Sequence, residues 1–180
     1  MIYVQKMYFI KLKKKGWALG GFTFIEAIMV IVILGILVVV ANPRFEIFYD
    51  LKRRSAAKKI ISDIRYAQSL AVSQHDDYAV YFDIYDNSYR VYRVSDNTTA
   101  KDPFTRTDLV VDFDTENLYK GVDILSVDFD TTNILRFNWE GTPYDGNGDI
   151  LNNTGMIVLR YKGKNLTVYV TPQTGRIAWQ

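Results

Sequence analysis

Gly21-Phe22-Thr23-Phe24-Ile25-Glu26 leads straight into Ala27-Ile28-Met29-Val30-Ile31-Val32-Ile33-Leu34-Gly35-Ile36-Leu37-Val38-Val39-Val40-Ala41. From Phe22 to Ala41 there are twenty residues and one charge, Glu26. A helix of that length spans about 30 Å, the hydrocarbon thickness of a bilayer. The pattern predicts a membrane helix over 22–43. A carboxylate near the centre of such a segment costs about 2.5–3.5 kcal/mol on insertion scales, so Glu26 asks for a cationic partner. No Lys or Arg lies between Phe22 and Asn42. A new amino terminus at Phe22 would supply the missing cation.

Working outward, residues 1–21 hold five Lys and no acid, with Lys13-Lys14-Lys15 close before the run. Positive charge on this side keeps it cytoplasmic and sends the C-terminal bulk across the membrane. Met1 and Met7 are alternative starts. A secretory signal cut after Val39-Val40-Ala41 fits less well, because apolar regions of signal peptides run 7–15 residues and this one is longer and carries Glu26. Beyond residue 21 the chain has 17 basic and 20 acidic residues. That balance makes it a poor general binder of nucleic acid. Without Cys there are no disulfides, no thiol chemistry and no Cys-based metal site.

Pro43 cannot donate its N–H and marks a kink at the end of the run. An amphipathic helix follows over 44–76. Phe45, Tyr49, Ala56, Ile60, Ile64, Ala67 and Ala71 fall on one face, with Arg54, Lys58 and Arg65 opposite. The basic set Arg53, Arg54, Lys58, Lys59 and Arg65 is interleaved with Asp50 and Asp63 and reads as a solvated helix face. Residues 77–180 are β-rich. Strands are expected at Tyr78–Ile84, Tyr89–Val94, Leu109–Phe113, Val122–Phe129, Ile134–Trp139, Met156–Tyr161, Leu166–Thr171 and Arg176–Trp179. Ser95–Thr107 and Gly141–Gly155 read as loops. Val-Asp-Phe-Asp-Thr occurs at 111–115 and again at 127–131. It reads as two similar strand ends.

The stretch Gly21-Phe22-Thr23-Phe24-Ile25-Glu26 behind a basic leader resembles the processing site of type IV pilins and type II secretion pseudopilins, a class III signal peptide. Two positions depart from the usual pattern: Phe24 stands where Leu is commoner, and Ala27 where a larger aliphatic is usual. Three further pieces resemble the GspH/FimT-type minor pseudopilins: Arg54–Ala71 on the helix, Leu135–Gly141, and Leu166–Ile177. The resemblance implies an α+β, pilin-like fold, with a long N-terminal helix packed on a small, mainly antiparallel β-sheet domain. It also implies cutting between Gly21 and Phe22 by a prepilin peptidase that then N-methylates Phe22. Glu26, one helical turn from the new Phe22 amine, would be partly neutralised by it in the membrane, and in a filament would pair with a neighbour's N-terminal amine and so set the stagger between subunits. The implied protein is a structural subunit, not an enzyme, with no cofactor. It would be a single-pass inner-membrane protein whose domain lies outside the cytoplasm, assembling with other subunits into a pseudopilus or type IV pilus. The alternative is a FimT-like subunit that captures DNA or another surface ligand, with Arg176 as the candidate contact.

Two further motifs need weighing. Asp145-Gly146-Asn147-Gly148-Asp149 resembles the start of a calcium loop, with Asp145, Asn147 and Asp149 as ligand candidates. It has Ile150 where the loop needs Gly and Met156 where it needs an acid, so a Gly/Asn turn is the better reading. His75 is the only histidine, beside Asp76 and Asp77. No motif supplies the nucleophile that would make a triad of it.

Overall fold

The structure is a computed structural model that describes residues 21–40 and 45–180. The expected leader over 1–21, apart from Gly21, and the expected kink at Pro43 lie outside the described residues. The chain forms two compact units, 1–43 and 44–180.

The first unit contains α1, Phe24–Val40. Its 17 residues span about 25 Å, less than the span expected over 22–43. No helix among the described residues is long and apolar enough to cross a membrane. The start of α1 has a local cause. Thr23 accepts the backbone N–H of Glu26 on its hydroxyl at 3.3 Å and on its carbonyl at 3.1 Å. Thr23 is therefore the N-cap, and Gly21–Thr23 stay outside the helix.

The second unit opens with α2, Phe45–Gln74. It ends as a Schellman turn: His75 takes φ 51° and the Asp76 N–H reaches back to the Ala71 carbonyl at 3.4 Å. Nine strands follow in two antiparallel sheets. The first sheet is built from β1 (Tyr78–Asp83), β2 (Ser88–Arg93), β3 (Val110–Asp112), β5 (Ile134–Phe137) and β6 (Pro143–Tyr144), in the order β3-β2-β1-β5-β6. The second has β4 (Asp123–Asp128), β7 (Gly155–Tyr161), β8 (Lys164–Val170) and β9 (Ile177–Trp179), in the order β4-β7-β8-β9. The expected strands are all present, most of them one or two residues shorter at an end. The segment 141–155, expected as loop alone, contains β6, which pairs Arg136 with Tyr144 and Phe137 with Pro143. A strand of two residues is too short to leave an alternation in the sequence.

Alternation explains the core. Val80 and Phe82, Tyr89 and Val91, and Leu135 and Phe137 turn inward from the first sheet. Ile157 and Leu159, then Leu166, Val168 and Val170, do so from the second. Ala56, Ile60, Ile64, Ala67 and Ala71 on α2 are fully buried among them, while Arg54, Lys58 and Arg65 are exposed, as their spacing requires. The three alanines allow the helix backbone to lie close to the sheets. Every core side chain among the described residues lies between Ala56 and Ile177, so the unit 44–180 contains its whole core.

The repeated pentapeptide behaves as two equivalent strand ends. Phe113 and Phe129 are fully buried, and β3 and β4 both stop at the preceding Asp. Asp112 then accepts the Asp114 N–H at 2.8 Å, and Asp128 the Thr131 N–H at 2.8 Å, each capping its turn.

Candidate functional site

The stretch expected to be processed comes first. Gly21, Phe22 and Thr23 lie outside any helix or strand and are exposed, with Phe22 76% accessible. In the full chain Phe22 lies just before the helix. Thr23 caps the helix, and the first helical residue is Phe24. Glu26 sits in the first turn, where the positive end of the helix dipole favours a carboxylate. The missed residue is Thr23. Its signal was in the sequence: Thr23-Phe24-Ile25-Glu26 has the Ser/Thr-x-x-Glu spacing of a capping box.

Beyond Glu26, α1 is apolar on every side and uncovered. Ile25, Met29, Val32, Leu34, Ile36 and Val39 are all more than half exposed. Exposed apolar surface that wraps a whole helix marks a contact with membrane or protein. A Cβ at Gly35 would meet no atom within 4 Å among the described residues.

The basic helix face is not uniformly solvated, as its charge had suggested. Asp63 and Arg53 are buried, at 5% and 8% exposure. Asp63 accepts the Tyr89 hydroxyl at 2.7 Å and Lys59 Nζ at 3.0 Å, and Lys59 also lies 3.5 Å from Asp102. Arg53 binds Asp50 and donates to the Asn165 carbonyl at 3.4 Å. These side chains clip α2 to both sheets. At about 100° per residue both lie inside the apolar arc, Asp63 in line with Phe45 and Arg53 in line with Ala71, so their charge and not their spacing made them read as solvated. Burial raises the Asp63 carboxyl above its ordinary pKa, outweighing the lowering by Tyr89 and Lys59. At Lys59 burial works against the charged form, but the bond and charge of Asp63, with Asp102, raise its pKa. The Asp102 carboxyl is held low by backbone N–H groups, Thr105 first and Phe104 next, against the opposing effect of burial.

The calcium-loop candidate is a turn. Asp145 is buried, and its Oδ1 accepts the N–H groups of Asn147, Gly148 and Asp149, each at 2.9 Å. Asn147 Nδ2 takes the other oxygen at 3.2 Å, so the carboxylate is engaged internally. Among the described residues no group of three His, Cys, Asp or Glu is placed to hold a metal ion. His75 stacks on Trp139, with ring centroids 5.9 Å apart. Asp77 is turned to Arg136 at 3.2 Å. Arg176 is exposed and lies just before β9.

The three segments that carry the GspH/FimT resemblance meet at one point. Gln68 on α2 donates to the Gly141 carbonyl at 2.8 Å. A Cβ at Gly175 would stand 2.8 Å from Gln68 and 3.1 Å from Phe137, and Gly175 has φ +61°. Only glycine fits there without displacement. A second junction joins the sheets. Asn87, in the β1–β2 turn, donates to the Val122 carbonyl and accepts the Ile124 N–H, each at 2.9 Å.

Solved structures share this arrangement of one long helix on two antiparallel sheets. The minor pseudopilin EpsH from the Type 2 Secretion System of Vibrio cholerae superposes with a TM-score of 0.51 at 11% identity, over 72% of this chain and 96% of EpsH. The type IV minor pilin FimU of Pseudomonas aeruginosa does so with a TM-score of 0.51 at 19% identity, over 77% and 92%. The fold is that of pilins and pseudopilins. No family model and no curated relative matches the chain. The pilin-like fold thus rests on the arrangement of helix and sheets, at identities too low to carry residue roles across.

Proposed function

We propose that the chain is a minor pilin or pseudopilin of GspH/FimT type. It is made as a prepilin, cut between Gly21 and Phe22, methylated at Phe22 and held in the inner membrane through the segment 22–43. It then enters a type II secretion pseudopilus or a type IV pilus by its N-terminal helix. The observation that carries this reading is α1: apolar all round, uncovered, and charged only at Glu26, on a chain with the pilin fold. Such a helix needs lipid before assembly and neighbouring helices afterwards. In the membrane a lone carboxylate penalises every stagger that leaves it unpaired, so Glu26 acts on registry more than on strength. Cutting frees an amine at Phe22, just before the Thr23 cap. Mass spectrometry of the protein from its host membranes tests the reading. The expected product begins at N-methylated Phe22. A chain that retains its leader, or one that begins at Asn42, refutes it.

A further inference from the structure

The second sheet leaves β9 open on one side. Thr167 and Gln180 exchange both backbone bonds at 3.0 Å, which fixes the parity of the ladder. Ala178 therefore also faces β8, whereas Ile177 and Trp179 turn their N–H and C=O groups away from it. Those groups look into a groove of about 500 Å³ between β9 and α2, lined by Lys58, Ile61, Ser62 and Arg65 on the helix side. Arg65 donates to the Ile177 carbonyl at 3.5 Å at the long limit of a hydrogen bond. Arg54 lies 5.4 Å from the Trp179 ring and is paired with Asp50 at 2.7 Å. Lys58 and Arg65 have no carboxylate partner among the described residues, although acids outnumber bases in the chain beyond the leader.

We propose that this groove receives an extended acidic peptide segment of a partner protein, added to the free edge of β9. Two features select that occupant. A strand edge offers donors and acceptors in alternation, which another peptide backbone matches and a nucleic-acid backbone, lacking N–H donors, does not. Two unneutralised cations on the facing helix select carboxylates among extended segments. Arg176, the candidate contact for DNA, is not among the residues that line the groove. The inference uses neither α1 nor Glu26 and stands apart from the filament reading.

The test uses the full chain in detergent micelles and fluorescence anisotropy of a labelled peptide alternating Glu and Val. Saturable binding is expected. It should weaken about tenfold in Lys58→Glu/Arg65→Glu, the scale of losing two partly exposed charge pairs. The same variant should gain binding of a peptide alternating Lys and Val. Alternate N-methylation of the peptide backbone should abolish binding. Lys58→Glu alone, at an exposed position with no hydrogen bond or ion pair among the described residues, should weaken binding without changing the thermal unfolding of the domain. The proposal is overturned if the Glu/Val peptide does not bind, if the N-methylated peptide binds equally well, or if an oligothymidylate displaces the Glu/Val peptide from the groove.

Discussion

Replacing Asp63 by Ala tests whether the buried polar contact beneath α2 holds the helix to the sheet. Tyr89 is almost wholly buried, and its hydroxyl has one partner at hydrogen-bond distance, Asp63. Removing the carboxylate strands that hydroxyl, at about 1–3 kcal/mol for an unsatisfied buried donor. Lys59 is 27% exposed and keeps Asp102 at 3.5 Å, so its share of the loss is small, at about 0.5 kcal/mol. Asp63→Ala should therefore cost about 2–3 kcal/mol in the 44–180 unit. Tyr89→Phe alone removes a bond to a charged group that keeps Lys59, at about 1–2 kcal/mol. The discriminating quantity is the coupling. In the Asp63→Ala background, Tyr89→Phe removes the stranded hydroxyl and should recover part of its penalty rather than cost stability, which gives a coupling above about 1–2 kcal/mol. Urea unfolding followed by far-UV circular dichroism on the four proteins measures it. Equal costs of Tyr89→Phe in both backgrounds would refute the reasoning.

The raised Asp63 carboxyl also sets a pH signature. Its folded pKa lies above the unfolded value of 3.8, so the native state binds more protons in that window and gains stability as pH falls towards 3.8. Asp63→Asn should abolish that gain relative to the parent, and parallel stability curves from neutral pH to pH 4 would count against it. At Gly155 an added Cβ would stand 2.4 Å from the fully buried Phe129 ring, so Gly155→Ala should cost about 1–3 kcal/mol by overpacking, measured by thermal unfolding. Asp145→Ala should cost about 2–3 kcal/mol through three lost bonds to backbone N–H groups, and millimolar calcium should leave the parent's melting temperature unchanged; a calcium-dependent rise would restore the metal reading. Glu26→Ala should leave cleavage at Gly21 intact while reducing incorporation into filaments, scored by immunoblot of sheared fractions; normal incorporation would remove the registry argument.

Local pattern was enough for much of this protein. Twenty residues with one charge, a Gly-Phe junction and a basic run before it are one-dimensional signals, and the expectation of a processing site does not depend on what the rest of the chain does. The strands of 77–180 and the Asp-capped ends after Val111 and Val127 were legible for the same reason: alternation and turn chemistry act over a few residues. The Thr23 cap was legible too, through its spacing to Glu26, and it moves the helix start past Phe22. What lay outside the sequence were facts about distance across the fold. Asp63 and Arg53 lie on the apolar arc of α2, so their inward position was in the spacing, while their partners, the Tyr89 hydroxyl and the Asn165 carbonyl, are set by the fold. Gln68, Gly141 and Gly175 are far apart in the chain, and only the tertiary fold makes glycine necessary at the third. The open edge of β9 beside two unpaired cations is likewise a product of sheet order, because a sequence says which residues form a strand and not which strand is left at the edge.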